Sequence, residues 1–193
     1  MGDIRTAIFD VLYRLGQQLP GSRLSERTYE WVRGGGNHSQ TVECDQATLE
    51  TAWQGRPLLV QFQTDPPPPD LPGAELFLSS KQVAFDLKLR PRGFFDWLPW
   101  LSGLRPESPS LRSQYTFLCP TAAHHPAARE LLKRAAELEE ELPRLPWGLL
   151  ARLDFQEGAG LSGRYRPHVL QLMDRAWLDQ QAEVLARLLL LCP

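Results

Sequence analysis

Residues 75–90 read Glu-Leu-Phe-Leu-Ser-Ser-Lys-Gln-Val-Ala-Phe-Asp-Leu-Lys-Leu-Arg, and their pattern decides the fold. Val83, Phe85, Leu87 and Leu89 alternate with Ala84, Asp86, Lys88 and Arg90, the period-two signature of a strand with one buried face. A second β-rich run, Glu75 to Ser79, comes just before it. Strands that follow one another this closely leave no room for the crossover helices of a parallel, doubly wound sheet, so an antiparallel sheet is expected.

The pattern continues outward in both directions. Upstream, Leu58 to Gln63 (LLVQFQ) alternates as a strand. Thr28 to Arg33 and Thr41 to Cys44 flank Gly34-Gly35-Gly36-Asn37 and read as a hairpin. Asp45 to Gln54, with Leu49, Ala52 and Trp53 on one face and Gly55 behind them, reads as a short capped helix. Ile4, Ala7, Ile8, Val11, Leu12, Leu15 and Leu19 recur at three and four residues, a helix over 3–19 with Asp3 as its cap. Downstream, Arg112 to Cys119 reads as a strand. Pro126 to Leu142 reads as a helix with Glu137, Glu139, Glu140 and Glu141 on a solvated face. Leu149–Phe155 and Leu161–Arg166 form a hairpin around Glu157-Gly158-Ala159-Gly160, and a long helix is expected from His168 to Leu191, after Pro167.

The expected fold class is therefore α+β. A mostly antiparallel sheet carries an N-terminal helix, one middle helix and a long C-terminal helix, in a single domain over residues 1–193. Residues 65–73, DPPPPDLPG, hold five prolines and read as a semi-rigid polyproline connector between two halves of the sheet. Pro69 to Pro72 also satisfies the PxxP pattern of a groove ligand. This order of elements resembles that of small bacterial secretion chaperones and their chaperone-like relatives, and the resemblance implies a binding scaffold, not an enzyme.

Composition narrows the classes further. Across 193 residues, 42% are hydrophobic and 23% charged, which excludes wholesale disorder, collagen and disulfide scaffolds. The 21 basic and 23 acidic residues leave a net charge of −2, so the chain lacks the global field of a duplex nucleic-acid binder. Three widely spaced cysteines, Cys44, Cys119 and Cys192, write neither a disulfide framework nor a thiolate zinc site, and a cytoplasmic location is expected. No signal peptide, transmembrane segment or membrane contact is expected from the patterning.

Candidate chemistry is sparse. Gly158-Ala159-Gly160-Leu161-Ser162-Gly163 spells GxGxxG, but extended chain follows it where a nucleotide fold opens a helix. Cys119, His124 and His125 lie close enough to suggest a metal-dependent or Cys/His enzyme, though the spacing matches no ligand pattern and no cofactor or metal is expected. The segment 87–104, LKLRPRGFFDWLPWLSGL, is the most unusual: Phe94, Phe95, Trp97 and Trp100 lie beside Arg90 and Arg92, with Arg105 just beyond. Buried, each ring would contribute about 2–3 kcal/mol to the core. Exposed, the set has the aromatic and arginine composition enriched at interfaces. With no catalytic signature elsewhere, the sequence is read as a non-catalytic adaptor or assembly component. It would bind a protein partner, or a second copy of itself, through Arg90, Arg92, Phe94, Phe95, Trp97, Trp100 and Arg105. Single-stranded nucleic acid stacking on the same rings is the other alternative.

Overall fold

A computed structural model describes residues 4–33, 39–64, 72–93 and 104–193. Among these, α1 (Ile4–Gln18) leads into β1 (Arg23–Arg33), β2 (Gln40–Trp53), β3 (Arg56–Gln63), β4 (Gly73–Ser79) and β5 (Leu87–Pro91). Next come α2 (Pro109–Gln114), β6 (Tyr115–Leu118), α3 (His125–Lys133), α4 (Ala135–Glu141), β7 (Leu150–Gln156), β8 (Gly160–Tyr165) and α5 (Arg175–Leu190). The strands form one antiparallel sheet in the order β1-β2-β3-β4-β8-β7-β5-β6. The expected α+β class is what the chain adopts.

One register line crosses the whole sheet. Leu24, Leu49, Val60, Leu76, Gly163, Leu153, Leu89 and Phe117 stand opposite one another on successive strands. Leu49, Val60, Leu76, Leu89, Leu153 and Phe117 are buried, and the Tyr165 ring fills the room left at Gly163. Because side chains alternate faces, this line is one side of the sheet. Helices α1 and α5 pack there: Leu12 and Leu15 of α1 and Leu185 and Leu188 of α5 join the same core. Arg175 Nη1 donates to the Gln18 carbonyl at 3.1 Å and links the start of α5 to the end of α1.

Several local expectations change. Asp45–Gln54 is not a helix but the body of β2, hydrogen-bonded to β1 and β3 on its two sides. Leu49 and Trp53 satisfy both periods, and a ladder on each edge decides for two: Ala47, Leu49 and Trp53 are buried while Ala52 is exposed. Gly55, read as a helix cap, instead closes a two-residue hairpin with Gln54, both at positive φ (+78° and +47°). Val83 and Phe85 are buried as the alternation requires, yet strand pairing starts only at Leu87. In residues 112–114 the chain is still in α2, whose Ser108 cap accepts from Leu111 N at 3.2 Å and whose first residue is Pro109; the strand begins at Tyr115. The middle helix is broken at Arg134 (φ −83°, ψ 46°) into α3 and α4. Glu141 does not sit on a solvated face: it is buried, within 3.6 Å of Arg144 and 3.4 Å of Arg187. Pro167 opens only a 3₁₀ turn, and α5 starts at Arg175 behind an Asp174 cap that accepts from Trp177 N at 2.7 Å.

Most of the proline run lies outside the described residues. The strands on either side of it, β3 and β4, pair directly down to Gln63 opposite Gly73, so the run connects hydrogen-bonded neighbours. Gly73 (φ +148°) and Gly160 (φ +149°) sit at opposite ends of the β4–β8 ladder. A Cβ there would lie 2.1 Å from the Tyr165 carbonyl oxygen and 2.2 Å from the Leu78 carbonyl oxygen, respectively. Glycine alone lets the two strands close.

Candidate functional site

The second face of the sheet is built from the residues one step out of phase with the core line. Ser25, Thr48, Gln61, Glu75, Arg164 and Arg152 stand opposite one another across β1, β2, β3, β4, β8 and β7. The adjoining line holds Phe77, Ser162, Asp154 and Lys88. An antiparallel sheet with one face covered ordinarily turns such residues to solvent. Here part of the polar face is recessed: Thr48, Ser162 and Asp154 are buried.

A cleft of about 670 Å³ opens on this face, lined among the described residues by Gln61, Gln63, Glu75, Arg90, Arg152, Arg164 and Arg166, with Pro72 and Pro91 at its borders. Four arginines face one glutamate. β7 shifts register between Leu150 and Arg152, so Ala151 and Arg152 reach the lining from an irregular strand. Arg164 Nη2 lies 3.4 Å from Glu75, and Arg152 Nε donates to Asp154 Oδ2 at 2.8 Å. Burial raises the Asp154 carboxyl above its ordinary value, against the opposing pull of Arg152, Lys88 and Arg164. Its Oδ1 is enclosed and has no hydrogen-bond partner.

Phe94, Phe95, Trp97 and Trp100 lie outside the described residues. The arginines around them are separated. Arg90 is on β5 and lines the cleft. Arg92 is spent on structure: its backbone N–H donates to the Gln114 carbonyl at 2.8 Å and its Nη1 to the Arg112 carbonyl at 2.5 Å. Arg105 is exposed beyond the segment, next to Leu104, which bridges to Phe117. The chain thus leaves the cleft at Pro91 and returns at the β6 edge. Arg152, Arg164 and Arg166 were not legible as site residues, because separate strands and an irregular register bring them to Arg90.

Among the described residues no three His, Cys, Asp or Glu side chains gather as metal ligands. His124 Nδ1 accepts from the Asp86 backbone N–H at 2.9 Å, and its Nε2 lies 3.2 Å from Glu157 Oε2. Asp86 Oδ1 in turn accepts from Glu157 N at 2.9 Å. The imidazole therefore pins the approach to β5 against the β7–β8 turn with both ring nitrogens engaged. Cys119 is partly exposed and lies just past the end of β6; burial raises its thiol, against a smaller opposing pull from the Thr121 backbone, and nearby Asp86 adds to the rise. Of the GxGxxG glycines, Gly158 is in the β7–β8 turn at φ +66°, Gly160 opens β8 and Gly163 lies in the body of that strand between β4 and β7.

No family model, curated protein or solved structure matches the chain. No helix among the described residues is long and apolar enough to cross a membrane.

Proposed function

We propose that this chain is a non-catalytic binding component that takes an acidic segment of a partner protein across the arginine-lined cleft, with the aromatic segment 94–100 supplying apolar contact beside it. One observation carries the reading: among the described residues, four arginines drawn from β5, β7 and β8 and the residue after it line a single cleft, where the carboxylates of Glu75 and Asp154 pair with Arg164 and Arg152. Guanidinium groups bind carboxylates through paired hydrogen bonds and shed water more easily than ammonium groups, so this lining favours an acidic chain. Arg90 and Pro91 precede the aromatic segment closely in sequence, so the arginine and aromatic parts of an interface composition are neighbours along the chain, which supports the reading. All three cysteines are free, which supports a reducing compartment such as the cytoplasm.

Fluorescence anisotropy with a labelled Glu-rich peptide tests the reading. Binding should weaken with salt and with Arg90→Glu combined with Arg166→Glu, and stay unchanged with Arg129→Glu on the exposed face of α3. Circular dichroism confirms that each variant folds. Failure of the peptide to bind, or equal binding by all variants, defeats the proposal. Preferential binding of a single-stranded oligonucleotide with the same arginine dependence would replace it by the nucleic-acid reading.

A further inference from the structure

The two edges of the sheet are protected very differently. At one end, β6 has four residues, and Leu104 bridges to Phe117 on it. At the other, β1 runs for eleven residues with no proline and an unbroken register from Arg23 opposite Glu50 to Arg33 opposite Gln40. Among the described residues β1 pairs only with β2. The β2–β3 ladder ends at Gln46 opposite Gln63, with Thr64 N still donating to the Asp45 carbonyl at 3.0 Å, and among the described residues 29–33 and 40–44 continue beyond it as a two-stranded ribbon. Long edge strands are templates for a further strand, and proteins blunt them with proline, bulges, short length or charged side chains. β1 uses only the last, through Arg23, Glu26, Arg27, Glu30 and Arg33, so the charge pattern decides which registers a further strand can take.

We infer that β1 is a self-association edge, on which a second copy of this chain adds its own β1 antiparallel, centred on Tyr29. The inference is independent of the cleft and rests on the charge pattern of the strand. A two-fold axis perpendicular to the sheet keeps the two faces continuous, so odd residues must oppose odd and even oppose even. Centring on Thr28 sets Arg23 against Arg33 and Glu26 against Glu30. Centring on Glu26, Arg27 or Glu30 sets that residue against itself, and centring on Ser25 sets Arg23 against Arg27. Like charges directly opposite are destabilising. Centring on Tyr29 is the one long register free of them. It pairs Tyr29 with Tyr29 of the second copy, Arg27 with Trp31, Thr28 with Glu30, Glu26 with Val32 and Ser25 with Arg33.

The side chains suit this arrangement. Arg27 already lies over the Tyr29 ring at 5.4 Å and Arg33 over the Trp31 ring at 6.0 Å, so the odd face of β1 carries two neighbouring rings flanked by Arg27 and Arg33. In the pairing each Arg27 would meet an aromatic ring of the other copy, the tyrosines would stack at the axis, and Val32, 62% exposed, would gain a neighbour.

Sedimentation equilibrium and cysteine cross-linking of the full chain decide the matter. At about 100 µM the chain should sediment as a dimer that dissociates on dilution. Under mild oxidation Tyr29→Cys should form a dimer whose linked peptides, identified by mass spectrometry, join residue 29 to residue 29. Arg27→Cys alone should not link through residue 27, whereas Arg27→Cys mixed with Trp31→Cys should link 27 to 31. Tyr29→Phe should preserve dimerisation, and Tyr29→Arg should raise the dissociation constant about fivefold or more by opposing two like charges. A monomer at that concentration overturns the inference, and so does a dimer that fails to link at 29 or links 27 to 27.

Discussion

The two faces of this sheet share a backbone and differ in what each register line carries. On one, the line from Leu24 to Phe117 is apolar at every strand except Gly163. On the other, the line from Ser25 to Arg152 is polar at every strand it crosses. The first face needs only burial, which is non-directional, and helices supply it. The second holds Arg152, Arg164 and Asp154 where each charge must find a counterpart or a ligand. Stability should therefore reside in the first line and binding in the second.

Truncation at the two lines is the sharpest way to break that division. Leu76→Ala removes a fully buried side chain from the middle of the core line and should cost about 2–5 kcal/mol in urea unfolding, whereas Gln61→Ala on the neighbouring polar line should cost less than about 0.5 kcal/mol. Comparable losses at both sites would mean that the polar face is as much core as the other. Gly160→Ala should follow closely, at about 1–3 kcal/mol, because it combines a strained φ with a carbonyl oxygen 2.2 Å from the new Cβ. It should perturb the β4–β8 ladder locally, visible as faster amide exchange at Leu78 and Leu161.

The core line was legible because it obeys one period over long stretches: Leu58, Val60 and Phe62, or Leu76 and Leu78, can be read from spacing alone. Where two periods fitted the same residues the reading failed. Leu49 and Trp53 suit a helix or a strand, and only the neighbouring ladders of β1 and β3 decide between them. Strand onset departs from the spacing at Val83, where burial alternates before pairing begins, and at Arg112, where Ser108 and Pro109 start α2 instead. The cleft was legible only at Arg90. Its other arginines lie more than sixty positions downstream, and no local pattern announces that β8 inserts between β4 and β7 to bring them alongside.

His124 joins parts of the chain distant in sequence, so it tests whether polar contacts at the end of the sheet contribute to stability. His124→Ala should cost about 1–3 kcal/mol, since the Asp86 N–H loses its acceptor in a half-buried setting. His124→Asn, able to accept the same bond, should recover part of that loss. No recovery would assign the effect to packing of the ring instead.

The smallest effect comes from Asp154, and its sign separates the two faces most clearly. Burial raises its folded carboxyl above the unfolded value of 3.8, more strongly than Arg152, Lys88 and Arg164 lower it. The folded chain therefore takes up a proton at Asp154 before the unfolded chain does as pH falls. Its contribution to stability must then rise on acidification through the folded value and level off below about pH 3.8, opposite to a salt-bridged carboxylate with a depressed value. Asp154→Asn should consequently raise the melting temperature at pH 7, with the gain shrinking as pH approaches 4. Melting curves of both proteins across that range supply the test. If the variant is less stable at pH 7 than at pH 4 relative to the parent, then Arg152 holds the ionised carboxylate more strongly than burial opposes it, and the polar line stabilises the fold after all.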